Sequence, residues 1–74
     1  MSILPILTAR QIVSILLRAG FTVLRQKGNH VFLKNFFTKK STSVPMHPGD
    51  LNRGLLITII KQAGFTVKQF LKLF

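Results

Sequence analysis

The chain has 74 residues, enough for one small domain over residues 1–74, and eleven Lys and Arg against the single acid Asp50 give it a formal net charge of +10. The lack of cysteine excludes disulfide frameworks and thiolate zinc sites, and a hydrophobic content of 47% excludes a disordered basic tail. The charge indicates a polyanionic partner, most commonly nucleic acid, although a membrane surface or an acidic protein would meet the same need. The apolar opening MSILPILTAR lacks a basic leader region and is too short to span a membrane, so we expect a cytoplasmic lead-in.

A first helix is predicted to begin at a capping box, in which Thr8 and Gln11 bond to each other's backbone amides. Apolar residues then recur with helical spacing, at Ile12, Ile15, Leu16 and Ala19. Gly20 is a natural left-handed stop for this helix.

Two half-polar runs, residues 21–27 and 30–36, are joined by Gly28-Asn29, which suits the type II′ turn of a β-hairpin. A two-residue turn sets the register. One face then pairs Lys27 with His30, Arg25 with Phe32 and Val23 with Lys34, and the other pairs Gln26 with Val31, Leu24 with Leu33 and Thr22 with Asn35. The second face is more aliphatic, so we expect it to be core, which leaves His30 on a basic surface around Phe32.

A third strand is predicted over residues 41–46, with Thr42, Val44 and Met46 on one side. Pro45 has no amide proton for a ladder, so this strand should lie at a sheet edge or end there. A second helix, capped by Asp50 or Asn52, carries an apolar face made of Leu55, Leu56, Ile59, Ile60 and Ala63 and stops at Gly64.

The segment AGFTV occurs twice, at residues 19–23 and 63–67, and in both places we expect Ala-Gly to close a helix and Phe to pack over its end. After the second copy, Thr66 and Gln69 form another capping box. A short last helix follows, with an apolar stripe of Val67, Phe70, Leu71 and Phe74. The order predicts an α+β fold with helices on one face of a three-stranded antiparallel sheet and the other face open to a ligand.

Three segments, RAGFTVLRQKGNHVFLKN, VPMH and LNRGLLITIIKQAGFTVKQFLKLF, resemble the HicA toxins of bacterial and archaeal toxin–antitoxin pairs, which are small ribonucleases that cut mRNA. The similarity runs from about Thr8 to Phe74. It implies a double-stranded-RNA-binding-domain-like fold, a catalytic histidine at His30 and neutralisation by an acidic HicB-type antitoxin. Asn29 stands where the family more often has serine, and we expect the turn to tolerate it.

RNA cleavage without metal needs a base, an acid and cations around the phosphate. Two-metal hydrolysis and carboxylate-pair chemistry need more acids than the one aspartate available, so we expect no metal and no cofactor. Histidine exchanges protons near neutrality, which makes His30 the expected catalytic residue and His47 a secondary one. Residues around His30 are expected to bind RNA, namely Arg25, Lys27, Gly28, Asn29, Phe32 and Lys34, with Lys27 nearest the phosphate and Phe32 either stacking a base or buried in the core.

Two other functions fit parts of the pattern. A non-catalytic small RNA-binding module would need the same basic face but no histidine. A membrane-active cationic peptide would combine positive charge with high hydrophobicity, but the predicted strands and caps argue against a single amphipathic helix.

Overall fold

A computed structural model describes residues 6–73 of the chain. Residues 1–5 of the apolar opening, and Phe74 of the predicted last stripe, lie outside the described residues. The elements follow the predicted order and confirm the α+β fold: α1 (Ala9–Arg18), β1 (Thr22–Lys27), β2 (His30–Asn35), β3 (Lys40–Pro45), α2 (Arg53–Gln62) and α3 (Val67–Leu71).

Both predicted capping boxes are present. At α1 the Thr8 amide donates to Gln11 Oε1 at 2.9 Å, and the Gln11 amide donates to Thr8 Oγ1 at 3.3 Å. Thr66 and Gln69 make the same pair of bonds at α3. The cap of α2 is Asn52, whose Oδ1 accepts from the Leu55 amide at 2.8 Å, while Asp50 instead forms an isolated bridge with Thr8.

The repeated AGFTV segments close α1 and α2 in the same way. Gly20 and Gly64 have positive φ, and the amide of the following phenylalanine donates back to the helix, from Phe21 to the Leu16 carbonyl and from Phe65 to the Ile60 carbonyl. This is the hydrogen-bond pattern of a Schellman motif. The rings of Phe21 and Phe65 then lie 6.2 Å apart, so the two repeats pack one helix end against the other.

The strands form one antiparallel sheet in the order β1-β2-β3. Near the hairpin turn the predicted register is confirmed, with Lys27 opposite His30 and Arg25 opposite Phe32. At the turn φ is +59° at Gly28 and is not positive at Asn29, as a type II′ turn requires. The prediction for Pro45 is also confirmed, because β3 is an edge strand and ends at this residue.

Farther from the turn the predicted register is wrong. The pairing shifts between Val23 and Arg25, so Val23 faces Leu33 and Leu24 becomes the extra residue of a β-bulge. Lys34 consequently pairs with Thr22, and the predicted pairs of Leu24 with Leu33, Val23 with Lys34 and Thr22 with Asn35 do not form.

The core lies between the helices and one face of the sheet, and for β2 this is the predicted face. Its members on β2 and β3 are Val31, Leu33, Val44 and the polar Asn35 and Thr42. The prediction that residues of β1 share this core is wrong: all six residues from Thr22 to Lys27 are exposed, and Leu24 is 51% exposed. The helices contact the sheet mainly through β3, so β1 projects beyond them.

Within residues 6–73 none of the helices has the length and apolarity needed to cross a membrane.

Candidate nucleic-acid interface

The face of the sheet opposite the helices carries most of the predicted site. Cross-strand pairing arranges its side chains in rows, because directly paired residues project from the same face. One row joins Lys27, His30 and Pro45, and the next joins Arg25, Phe32 and Ser43. A third contains Lys34 and Ser41. The structure therefore brings His30 together with Arg25, Lys27, Phe32 and Lys34.

His30 is the first residue of β2 and is exposed to solvent. Its neighbours across the sheet are Lys27 on β1 and Pro45 on β3. Directly before His30 in the chain, the Asn29 carbonyl accepts a hydrogen bond from the Met46 amide. The imidazole thus stands at the end of the sheet, next to a cation and beside a turn tied to the end of β3.

Two cationic side chains of the hairpin lie over aromatic rings. The Arg25 guanidinium carbon lies 5.1 Å from the centre of the Phe32 ring, and Lys34 Nζ lies 5.3 Å from the centre of the Phe36 ring. Both are within the range of a cation–π contact. Phe32 is half-buried, between the core and platform positions expected for it. Its ring is therefore not a bare stacking surface, because Arg25 lies over it.

A surface depression of about 640 Å³ has Arg25 and Phe32 in its lining. Four of its lining residues belong to the open face, namely Arg25, Phe32, Ser41 and Ser43. The other four are Leu24 of the bulge, the core residues Leu33 and Thr42, and Gln62 of α2, so the lining comes from both faces of the sheet.

His47 is not part of this group. It follows the end of β3, is exposed, and lines a second depression together with Met46, Thr8 and Arg10 beside the start of α1. The hydrogen bond from Met46 to Asn29 nevertheless keeps the chain just before His47 against the hairpin turn.

Ser41 and Ser43 were missed as site residues by sequence reasoning. The predicted third strand placed Thr42, Val44 and Met46 on one side. The same alternation leaves Ser41 and Ser43 on the other, which is the face of Phe32 and Lys34. The signal was therefore present in the strand pattern, although serine on an exposed strand face is too common to single out.

The described residues contain no group of three or more His, Cys, Asp or Glu side chains that could hold a metal ion. The chemistry available to this surface is proton transfer by histidine together with charge stabilisation by lysine and arginine.

Residues 9–65, most of the chain, match the sequence model of a family described as the HicA toxin of bacterial toxin–antitoxin pairs. The helix, three-stranded antiparallel sheet and following helices are consistent with the double-stranded-RNA-binding-domain-like fold that the sequence resemblance implied. A comparison with curated proteins gives no significant match.

Proposed function

Because this chain belongs to the HicA toxin family of bacterial toxin–antitoxin systems, we propose that it is a metal-independent endoribonuclease that cleaves mRNA with His30 as general acid–base. The observation that carries the proposal is the position of His30, exposed on the open sheet face with Lys27 directly across from it. A phosphodiester on this face can touch the imidazole and the ammonium at once.

In the proposed reaction the ribose 2′-hydroxyl attacks the adjacent phosphorus. Neutral His30 takes the hydroxyl proton as the new O–P bond forms, and the bond to the 5′-oxygen breaks. The leaving oxygen receives a proton from an acid, so the products are a 2′,3′-cyclic phosphate and a 5′-hydroxyl. Histidine suits the first step because its ordinary pKa lies near neutral pH.

The cations of the open face would stabilise the transition state and hold the strand. Lys27 is the nearest to His30 by pairing and is assigned to the phosphate that reacts. Lys34 lies four residues along β2 from His30 on the same face and is assigned to a neighbouring phosphate. Gly28 and Asn29 form the turn that sets His30 beside Lys27 and carry backbone groups at the same end of the sheet.

The acid for the leaving oxygen is either His47 or water. His47 lies in a different depression from the Arg25-Phe32 pair, but its segment is bonded to the hairpin turn through Met46. A strand of RNA that passes over the turn toward α1 would meet both histidines.

The toxin family implies an antitoxin partner. We propose an acidic HicB-type protein that presents carboxylates where RNA presents phosphates. The net charge of +10 favours fast, salt-sensitive association with such a protein. Because the substrate is mRNA, we place the activity in the cytoplasm.

The proposal is tested by inducing the chain and its His30→Ala variant separately in a bacterium and following growth and mRNA integrity together. The parent should arrest growth and fragment mRNA, and the variant at equal abundance should do neither. Growth arrest with intact mRNA in both cultures would instead favour a non-catalytic RNA-binding module, which needs the basic face but not the imidazole.

A further inference from the structure

The middle row of the open face, formed by Arg25, Phe32 and Ser43, has features that phosphate binding alone does not require. Phosphate is already matched by the ammonium groups of Lys27 and Lys34 in the rows on either side. The middle row adds a half-buried aromatic ring with a guanidinium over it and a half-buried serine.

Arg25 is held in place before any ligand arrives. Its guanidinium lies over the Phe32 ring at 5.1 Å, and the pairing of Arg25 with Phe32 fixes the two backbones that carry these side chains. A planar guanidinium on an aromatic ring still presents its outer face and its N–H edge to a ligand. Unstacked RNA bases are commonly bound in this way, by stacking on an arginine plane and by hydrogen bonds to the base edge.

The position of the row also suits a base. Phe32 lies two residues along β2 from His30, which corresponds to about 7 Å of strand. A nucleotide whose phosphate contacts His30 and Lys27 can therefore reach the Arg25-Phe32 pair with its own base or the next one.

The hydrogen-bonding groups of the row favour one chemical class of base. Arg25 can only donate, and among the described residues no carboxylate lies in the rows of the open face to accept from an amino group. At C4 of a pyrimidine or C6 of a purine, uracil and guanine present a carbonyl oxygen where cytosine and adenine present an amino group. Ser43 can donate or accept, so its hydroxyl suits either class and contributes affinity without discrimination.

Resting on the proposed ribonuclease function, we infer that the row formed by Arg25, Phe32 and Ser43 is a subsite for a single nucleobase next to the cleaved phosphate, and that Arg25 selects bases with a carbonyl oxygen at C4 of a pyrimidine or C6 of a purine. Arg25 is a specificity-determining residue in this arrangement, Phe32 supports it, and Ser43 positions the base.

The test compares two single-stranded oligoribonucleotides of equal length, oligo(U) and oligo(C), by fluorescence anisotropy. They carry the same number of phosphates, and their bases differ at C4, where uracil has a carbonyl oxygen and cytosine an amino group, and at N3, which is protonated only in uracil. The protein is the full chain with His30→Ala, which keeps the RNA uncut. We expect oligo(U) to bind about five-fold more tightly than oligo(C).

Variants in the same background separate the roles of the row. Arg25→Gln should reduce the preference to less than about two-fold, because an amide can accept as well as donate. Arg18→Gln removes the same charge from α1, on the other side of the sheet, and should keep the preference. Ser43→Ala should weaken the binding of both oligonucleotides by a similar factor, and Ser14→Ala on α1 should weaken the binding of neither.

Equal binding of the two oligonucleotides by the parent, or a preference that survives Arg25→Gln, would overturn the inference. Neither result depends on cleavage. A chain that prefers oligo(U) but does not cut RNA would support the subsite and contradict the proposed activity. A chain that cuts RNA but binds both oligonucleotides equally would support the proposed activity and contradict the subsite.

Discussion

Lys27 and His30 are direct cross-strand partners on either side of the Gly28-Asn29 turn. The first pair after a two-residue turn has little freedom to slip, so the ammonium and the imidazole are kept on the same face of the sheet. Any change that alters the turn should therefore alter both stability and the proposed activity.

Gly28→Ala tests the turn. Gly28 has a φ of +59°, a backbone conformation that residues with a Cβ adopt at a cost of about 1–2 kcal/mol. A Cβ there would meet nothing within 4 Å, so the expected loss comes from backbone strain and not from a clash. Urea unfolding should show a free energy of unfolding lowered by about that amount.

Gly54→Ala is the matched control for this strain. Gly54 lies in the first turn of α2, and an added Cβ would make only an ordinary contact with Asn52 Oδ1 at 3.6 Å. We expect this change to be neutral or to raise stability by about 0.5 kcal/mol. Equal losses from the two substitutions would show that the positive φ of Gly28 is not what matters.

Lys27→Gln tests the assignment of Lys27 to the reacting phosphate. Loss of a cation that stabilises the transition state should lower single-turnover RNA cleavage on the order of 10-fold or more, with a much smaller loss of RNA binding. Lys61→Gln removes the same charge from an exposed position on α2 and should leave the cleavage rate unchanged. If the two variants cleave at the same rate, Lys27 has no special role at the phosphate.

Lys34→Gln tests the neighbouring phosphate contact through its salt dependence. Each phosphate contact to single-stranded nucleic acid contributes about 0.7 to the slope of log affinity against log salt concentration. We expect the slope measured with a single-stranded oligonucleotide to become shallower by about 0.7 in Lys34→Gln. Lys72→Gln, next to the end of α3, should leave the slope as in the parent. An unchanged slope in Lys34→Gln would show that Lys34 does not contact the RNA.

Phe32→Leu tests the support under Arg25. The change removes part of a half-buried ring and its cation–π contact, so stability should fall by about 1 kcal/mol in urea unfolding, and the oligo(U) preference should weaken. Phe37 is 95% exposed, and Phe37→Leu should change neither quantity. A Phe32→Leu chain with parental stability and preference would show that the ring does not hold Arg25.

Much of the fold was predictable because its signals are local. Thr8 with Gln11 and Thr66 with Gln69 mark helix starts through bonds between residues only three positions apart, so the signal can be read from a short stretch of sequence. The Gly28-Asn29 turn likewise set the register of the pairs next to it.

The bulge at Leu24 could not be predicted from the same signals. Val23 and Leu24 are both apolar, so the pattern does not say which of them faces the helices, and the influence of the turn weakens with distance along the strand. The outcome depends on how far the helix layer reaches across the sheet. That layer covers mainly β3, which leaves Leu24 half exposed.

The proposed site was predictable in part, because its residues on β2 follow the alternation of a strand. Alternation along β2 placed His30, Phe32 and Lys34 on one face as soon as Val31 and Leu33 were assigned to the core. The cation–π contact of Arg25 depends on side-chain conformation, which cross-strand pairing allows but does not dictate. Ser43 belongs to the site because β2 and β3 pair in a register that sets it opposite Phe32, and this long-range pairing has no local signal in the sequence.

In the proposed reaction His30 transfers the proton that makes RNA cleavage possible. This role is tested by incubating a labelled single-stranded RNA with the purified chain in EDTA, beside His30→Ala and His47→Ala, with RNA affinity measured in parallel. We predict cleavage by the parent, retained binding without cleavage by His30→Ala, and at most partial loss with His47→Ala. Cleavage by His30→Ala at the parental rate would show that His30 is not the proton-transfer group.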